Sequence, residues 1–157
     1  MIRTAVRDDV PTILRFIREL AAYERSEHEV RTTEDDLARD LFGPHPAAQV
    51  LVAEDDTGGA IGFALWFTTY STWLGRPGLY LEDLYVTPDA RGSGHGRALL
   101  RALARIAVAR GYGRVEWSVL NWNEPAIGFY KALGAAPQDD WTVYRLTGEP
   151  LATLGAH

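Results

Sequence analysis

Apolar residues recur at helical spacing through Ile13, Leu14, Ile17, Leu20 and Ala21, and this stripe predicts a first amphipathic helix. Asp8 or Asp9 can cap it, with Pro11 in its first turn. Residues 2–6 ahead of it read as a short strand. Thr33 with Asp36 forms a capping-box pattern that opens a second helix, and Gly43-Pro44 stops it. The pattern then switches to β-branched and alternating runs at 49–54 and 60–70, joined by the turn residues Asp55-Asp56-Thr57-Gly58-Gly59. Gly75-Arg76-Pro77-Gly78 turns into a further strand at 79–86. A long Leu/Ala/Arg helix follows to Arg110 and ends at Gly111-Tyr112-Gly113. Residues 114–120 read as a strand, 123–133 as a helix with Asn123 as N-cap and Gly134 beyond its end, and 141–146 as a final strand. The order βααβββαβαβ predicts a mixed α/β domain with a mostly antiparallel sheet, not a doubly wound nucleotide fold.

Composition narrows the picture. The 157 residues suit a single domain spanning 1–157, and no repeat or linker divides them. No apolar run reaches the roughly 18–20 residues of a membrane span, and the first residues lack an apolar leader segment, so a cytoplasmic protein is expected. There is no cysteine, which excludes disulfides, thiolate metal sites and a cysteine nucleophile. A net charge of −5 argues against nucleic-acid binding and suits a cationic partner. The four histidines, His28, His45, His95 and His157, show no ligand spacing, and no metal is assigned.

The densest chemistry lies between the strand at 79–86 and the long helix, in Arg91-Gly92-Ser93-Gly94-His95-Gly96. Strand, glycine loop and helix present bare backbone N–H groups and a positive helix end, the arrangement that binds phosphate. A P-loop needs a Lys after its last glycine, and here Arg97 is followed by Ala98. The dinucleotide fingerprint needs Gly-x-Gly-x-x-Gly and an acidic end to the next strand, whereas this loop is Gly92-x-Gly94-x-Gly96 and that strand ends Val119-Leu120-Asn121.

Arg91-x-x-Gly94-x-Gly96 resembles the coenzyme A pyrophosphate loop of the GNAT N-acetyltransferase superfamily. Downstream, Asn123-Glu124-Pro125-Ala126-Ile127-Gly128-Phe129-Tyr130-Lys131-Ala132-Leu133-Gly134 resembles that family's Asn-x-x-Ala-x-x-Phe-Tyr-x-x-x-Gly segment. The likeness narrows to the diamine (spermidine/spermine) N-acetyltransferase branch through Glu19-Leu20-Ala21-Ala22-Tyr23-Glu24, Phe42-Gly43-Pro44-His45-Pro46, Leu51-Val52-Ala53-Glu54, Leu81-Glu82-Asp83 and Trp122-Asn123-Glu124-Pro125. The loop Thr69-Tyr70-Ser71-Thr72-Trp73-Leu74-Gly75 adds to the likeness, but two departures weaken a polyamine preference: Thr72 stands where the branch has an acidic residue, and Ala132 and Leu133 where it has basic ones. The resemblance implies a GNAT fold with a splayed strand pair at the cofactor site, acetyl-CoA as cosubstrate, a small primary amine as acceptor and a homodimer. Transfer to a protein N-terminus, a lysine or an aminoglycoside, and a non-catalytic coenzyme A-binding module, are the alternatives.

Acetyl transfer to an amine needs a neutral amine, a donor for the developing oxyanion and a proton for the departing thiolate. By resemblance, Tyr130 is the general acid and Glu82 the base or amine-binding carboxylate. Cofactor contacts are expected from Leu84, Tyr85 and Val86 along the strand, from Arg91, Gly92, Ser93, Gly94, His95, Gly96 and Arg97 in the loop, and from Asn123 and Tyr130. Substrate contacts are expected from Tyr23, Glu24, Trp73, Glu82 and Asp83. Strict alternation puts Leu81, Asp83 and Tyr85 on one face and Glu82, Leu84 and Val86 on the other, which separates the two carboxylates unless a bulge re-aims one.

Overall fold

In a computed structural model that describes residues 1–156, contacts divide the chain into two compact units, residues 1–118 and the segment from 119 onward. In the first unit β1 (Ile2–Thr4), β2 (Gln49–Glu54), β3 (Ala60–Ser71), β4 (Arg76–Val86) and β5 (Val115–Trp117) form a sheet in chain order. Its pairings are antiparallel except the last, where β5 lies parallel to β4. The β2–β3 turn forms at the predicted residues. Asp55 Oδ1 accepts from the Thr57 and Gly59 amides at 2.8 and 2.9 Å, and Gly58 takes a positive φ of 83°.

Both sheet faces are covered. Helix α1 (Val10–Tyr23) and helix α2 (Glu34–Phe42) pack on one face, where Ile13, Leu14, Phe16, Leu37 and Leu41 close over Val50, Val52, Phe63 and Tyr85. Phe16 sits at the centre, its ring 5.8 Å from Phe63 and 5.6 Å from Tyr85. The alternate strand positions, Leu51, Ala53, Ala64, Trp66, Leu79 and Leu81, are also buried. Helix α3 (His95–Ala109) packs on β2, β3 and β4 and buries Leu99, Leu100, Leu103 and Ala107.

The capping box on α2 forms as the sequence predicts. Thr33 Oγ1 accepts from the Asp36 amide at 3.1 Å, and the Thr33 amide donates to Asp36 Oδ2 at 3.0 Å. Hydrogen bonding to the Thr33 amide, and then to the Thr33 side chain, holds the Asp36 carboxyl below the usual range. Thr33→Ala is expected to lower stability by about 1 kcal/mol, read as a smaller urea midpoint with an unchanged slope.

Four sequence expectations change in this unit. Asp9 stands before α1 but its side chain does not cap the helix; it accepts from the Val6 amide at 2.7 Å and pairs with the Arg3 guanidinium, which also meets Glu54. The first strand is shorter than expected, ending at Thr4. The fourth begins at Arg76 rather than 79, so Pro77 and Gly78 lie inside it. This is tolerated because Pro77 lies near the strand start, ahead of the β5 ladder that opens at Leu79, and its carbonyl accepts from Gly113 at 3.0 Å. The fifth strand covers only Val115–Trp117.

In the second unit α4 (Glu124–Ala132) follows Asn123, whose side chain accepts from the Ala126 amide at 3.4 Å, and Gly134 past the helix end has φ 90°. The expected strand at 141–146 does not form. Trp141, Val143 and Tyr144 have strand propensity, but among the described residues this unit offers only α4 and α5 (Gly148–Gly155) and no strand edge for them to pair with. Their side chains are exposed.

Candidate active site

The glycine loop is shaped for an anion. After β4, Thr87 and a 3-10 turn at Pro88–Ala90 bring the chain to Arg91. Gly92 and Gly94 have φ of 82° and 85°, left-handed values that disfavour any side chain. Gly94 is the N-cap of α3, and its carbonyl accepts from Ala98 at 2.9 Å. Among the described residues, the amides of Gly92, Ser93, Gly94, His95 and Gly96 donate no hydrogen bond. A Cβ at Gly92 or Gly94 would meet nothing within 4 Å, and one at Gly96 would meet only Val86 Cγ2, at 3.9 Å. The loop therefore offers open, unsatisfied donors at the positive end of a 15-residue helix. That donor set fits a pyrophosphate.

β4 carries the second half of the site. Leu65 pairs with Asp83 and Trp66 with Leu81, so Glu82 is an extra residue, a β-bulge. Strict alternation therefore breaks here: Leu81 and Leu84 share the α3 face, while Tyr80, Asp83 and Tyr85 share the α1 face. Glu82 is exposed at the kink, beside Asp83 rather than on the far side of a flat strand. Glu24, the C-cap of α1, completes a group of three carboxylates. Burial, then the charges of Glu82 and Glu24, push the Asp83 carboxyl up to about 7. Burial and the Glu82 charge also raise Glu24. Among the described residues no hydrogen bond or ion pair satisfies Asp83. A cation placed among the three would relieve this repulsion.

The ladder between β4 and β5 stops at Leu81 and Trp117. β4 runs on through Leu84, Tyr85 and Val86 with β3 on one side and no β5 partner on the other.

Aromatic groups link the two halves. The Arg91 guanidinium lies 5.4 Å from the Tyr23 ring centroid and 5.5 Å from that of Tyr85, and its Nε donates to the Val86 carbonyl at 2.9 Å. Burial and a hydrogen bond to Glu19 raise the Tyr85 hydroxyl pKa. Glu19 was not among the expected site residues. Its spacing of four from Tyr23, on one face of α1, is the signal that places it here.

Trp73 lies at the β3–β4 turn and is 84% exposed. His95 and Arg97 open α3. Asn123 and Tyr130 belong to the second unit, where the rings of Phe129 and Tyr130 are 5.6 Å apart and both side chains are half-buried. Among the described residues no group of three His, Asp or Glu could hold a metal ion, and His157 lies outside them. No helix among them is long and apolar enough to cross a membrane.

A family model for the acetyltransferase (GNAT) family matches residues 13–135, and the chain belongs to that family. It is 39% identical to the thialysine N-epsilon-acetyltransferase of Bos taurus, covering 98% of this chain and 96% of that protein. It is 37% identical to the spermidine/spermine N(1)-acetyltransferase-like protein 1 of Homo sapiens over 98% of this chain and 23% of that longer protein. Among solved structures, an integron cassette protein from the mobile metagenome of V. cholerae matches with a TM-score of 0.82 and 27% identity, covering 100% of this chain and 98% of that one.

Proposed function

We propose that this acetyltransferase moves an acetyl group from acetyl-CoA to the primary amine of a small cationic molecule, a polyamine or a thialysine-like amino acid. The observation that carries the acceptor class is the carboxylate group of Glu24, Glu82 and Asp83 on the same unit as the open glycine loop. Relatives named for thialysine and for spermidine/spermine support the same class.

In this reading the whole chain is one acetyltransferase domain. The amides from Gly92 to Gly96 take the pyrophosphate, with His95 and Arg97 flanking, while the Leu84, Tyr85 and Val86 backbone pairs with the pantetheine arm. Asn123 contributes to the same cofactor. Tyr23, Glu24, Trp73 and Asp83 receive the amine, and Glu82 accepts its proton directly or through a water. An N–H near Leu84 stabilises the oxyanion, and Tyr130 protonates the departing sulfur. With no cysteine to carry the acetyl group, the amine attacks the thioester directly in a ternary complex. No metal takes part, and the protein works in the cytoplasm as a homodimer.

A thiol-release assay with acetyl-CoA and a panel of spermidine, putrescine, thialysine, ornithine, peptide amines and an aminoglycoside tests this. Release is expected with the small di- and polyamines or the basic amino acids. Release confined to peptides or the aminoglycoside would replace the acceptor class, and none with any amine despite coenzyme A binding would leave a binding module.

A further inference from the structure

The Arg91 side chain has a position that phosphate binding does not require. Its Nε is committed to the Val86 carbonyl at 2.9 Å, and its guanidinium lies against two rings from different elements. One of these, Tyr85 of β4, is 5% exposed and packed against Phe16, whose ring is 5.6 Å away. The other, Tyr23, is 43% exposed and is the last residue of α1. Immediately beyond it the helix ends in a reversed turn. Glu24, Arg25 and Ser26 donate to Leu20, Ala22 and Ala21 at 2.9, 3.1 and 2.8 Å, and Arg25 takes φ 60°, a left-handed value usual for glycine and uncommon for arginine. This turn carries Glu24.

We propose that Arg91 is a positioning residue that ties the cofactor loop to the end of α1 and so sets Tyr23 and Glu24 for the acceptor amine. The proposal rests on the reading that Tyr23 and Glu24 receive that amine. The physical content is a planar cation in contact with both a fixed ring and the ring to be positioned. An ammonium, which lacks that plane and the Nε donor, would not replace it in full. The same residue then serves both substrates: its backbone leads the loop, and its side chain orders the acceptor side.

A double-mutant cycle in the full-length protein tests this, with Arg91→Gln, Tyr23→Leu and the pair together. Each single change is expected to raise the amine KM about threefold to thirtyfold, the span of a cation–π contact, and the pair no more than the larger single. By calorimetry Tyr23→Leu should leave the Kd for coenzyme A within about twofold of the parent value. Independently of activity, hydrogen exchange of the Glu24, Arg25 and Ser26 amides should quicken about tenfold or more in cofactor-free Arg91→Gln, with α3 unchanged. Arg91→Lys should recover only part of both effects.

Additive effects on KM would overturn the proposal, as would unchanged exchange at 24–26. A loss of coenzyme A affinity in Arg91→Gln with parental amine KM and exchange would assign the side chain to phosphate instead. Should no amine be acetylated by the parent protein, the acceptor reading fails on its own, while the exchange measurement still decides whether Arg91 holds the α1 turn.

Discussion

Asp83→Asn is expected to make the protein more stable at pH 8 while weakening its hold on an amine. Burial and two neighbouring carboxylates raise the Asp83 carboxyl to about 7 in the folded state, against an ordinary value of 3.8. Between these values the folded chain holds a proton that the unfolded chain has released, so stability falls as pH rises from about 4 to about 7 and stays reduced above that. Discounted for solvent screening, the loss is on the order of 2–4 kcal/mol. Asparagine does not ionise and escapes it. Urea unfolding of both proteins at pH 4 and pH 8 checks this: the gap should be small at pH 4 and large at pH 8. A gap independent of pH would mean that Asp83 does not titrate in this window. The same substitution should raise the amine KM at least about tenfold, because a cation among Glu24, Glu82 and Asp83 loses one of its counter-charges. A residue that costs stability and serves binding is the pattern expected of a functional site.

Tyr130→Phe carries the largest expected effect on turnover. If the phenol supplies the proton to the departing sulfur, its removal should lower kcat by about 10²–10⁴-fold. The ring and its contact with Phe129 at 5.6 Å persist, so coenzyme A affinity should change by less than about threefold. Thiol release at saturating substrates and calorimetry with coenzyme A read the two quantities separately. Parental kcat with every amine that is turned over would remove Tyr130 from the chemistry. A joint loss of kcat and cofactor affinity would make it a cofactor-packing residue.

Local signals in the sequence carried much of this architecture. Thr33 and Asp36 are three residues apart and satisfy each other's backbone partners, so the α2 start needs no tertiary information. The turn at Asp55 to Gly59 and the left-handed glycines at 92 and 94 are local in the same sense. Family resemblance then supplied a role for the loop that spacing alone left as a phosphate cradle. What depended on pairing was not legible. The bulge at Glu82 exists only in the register of β4 against β3, and without it Glu82 and Asp83 read as back-to-back residues with separate surroundings. The Arg91 guanidinium meets Tyr85, 6 positions away, and Tyr23, 68 positions away, only when α1 lies across β4 — no period in the chain encodes it. Residues 141–146 fail the other way: their propensity is plain, but propensity forms no strand without an edge to pair with.

The bulge also makes Glu82 an insertion in the literal sense. Taking residue 82 out of the chain would bring Leu81 and Asp83 into sequence on opposite faces, in the orientations they already have. Trp66 and Leu65 would keep their present partners. The inward-facing pattern on both sides of the sheet would read through the deletion unchanged, although the bend and added twist of the bulge would be lost. If Glu82 serves the amine as proposed, length variation at this position would separate chains that keep the chemistry from chains that keep only the scaffold.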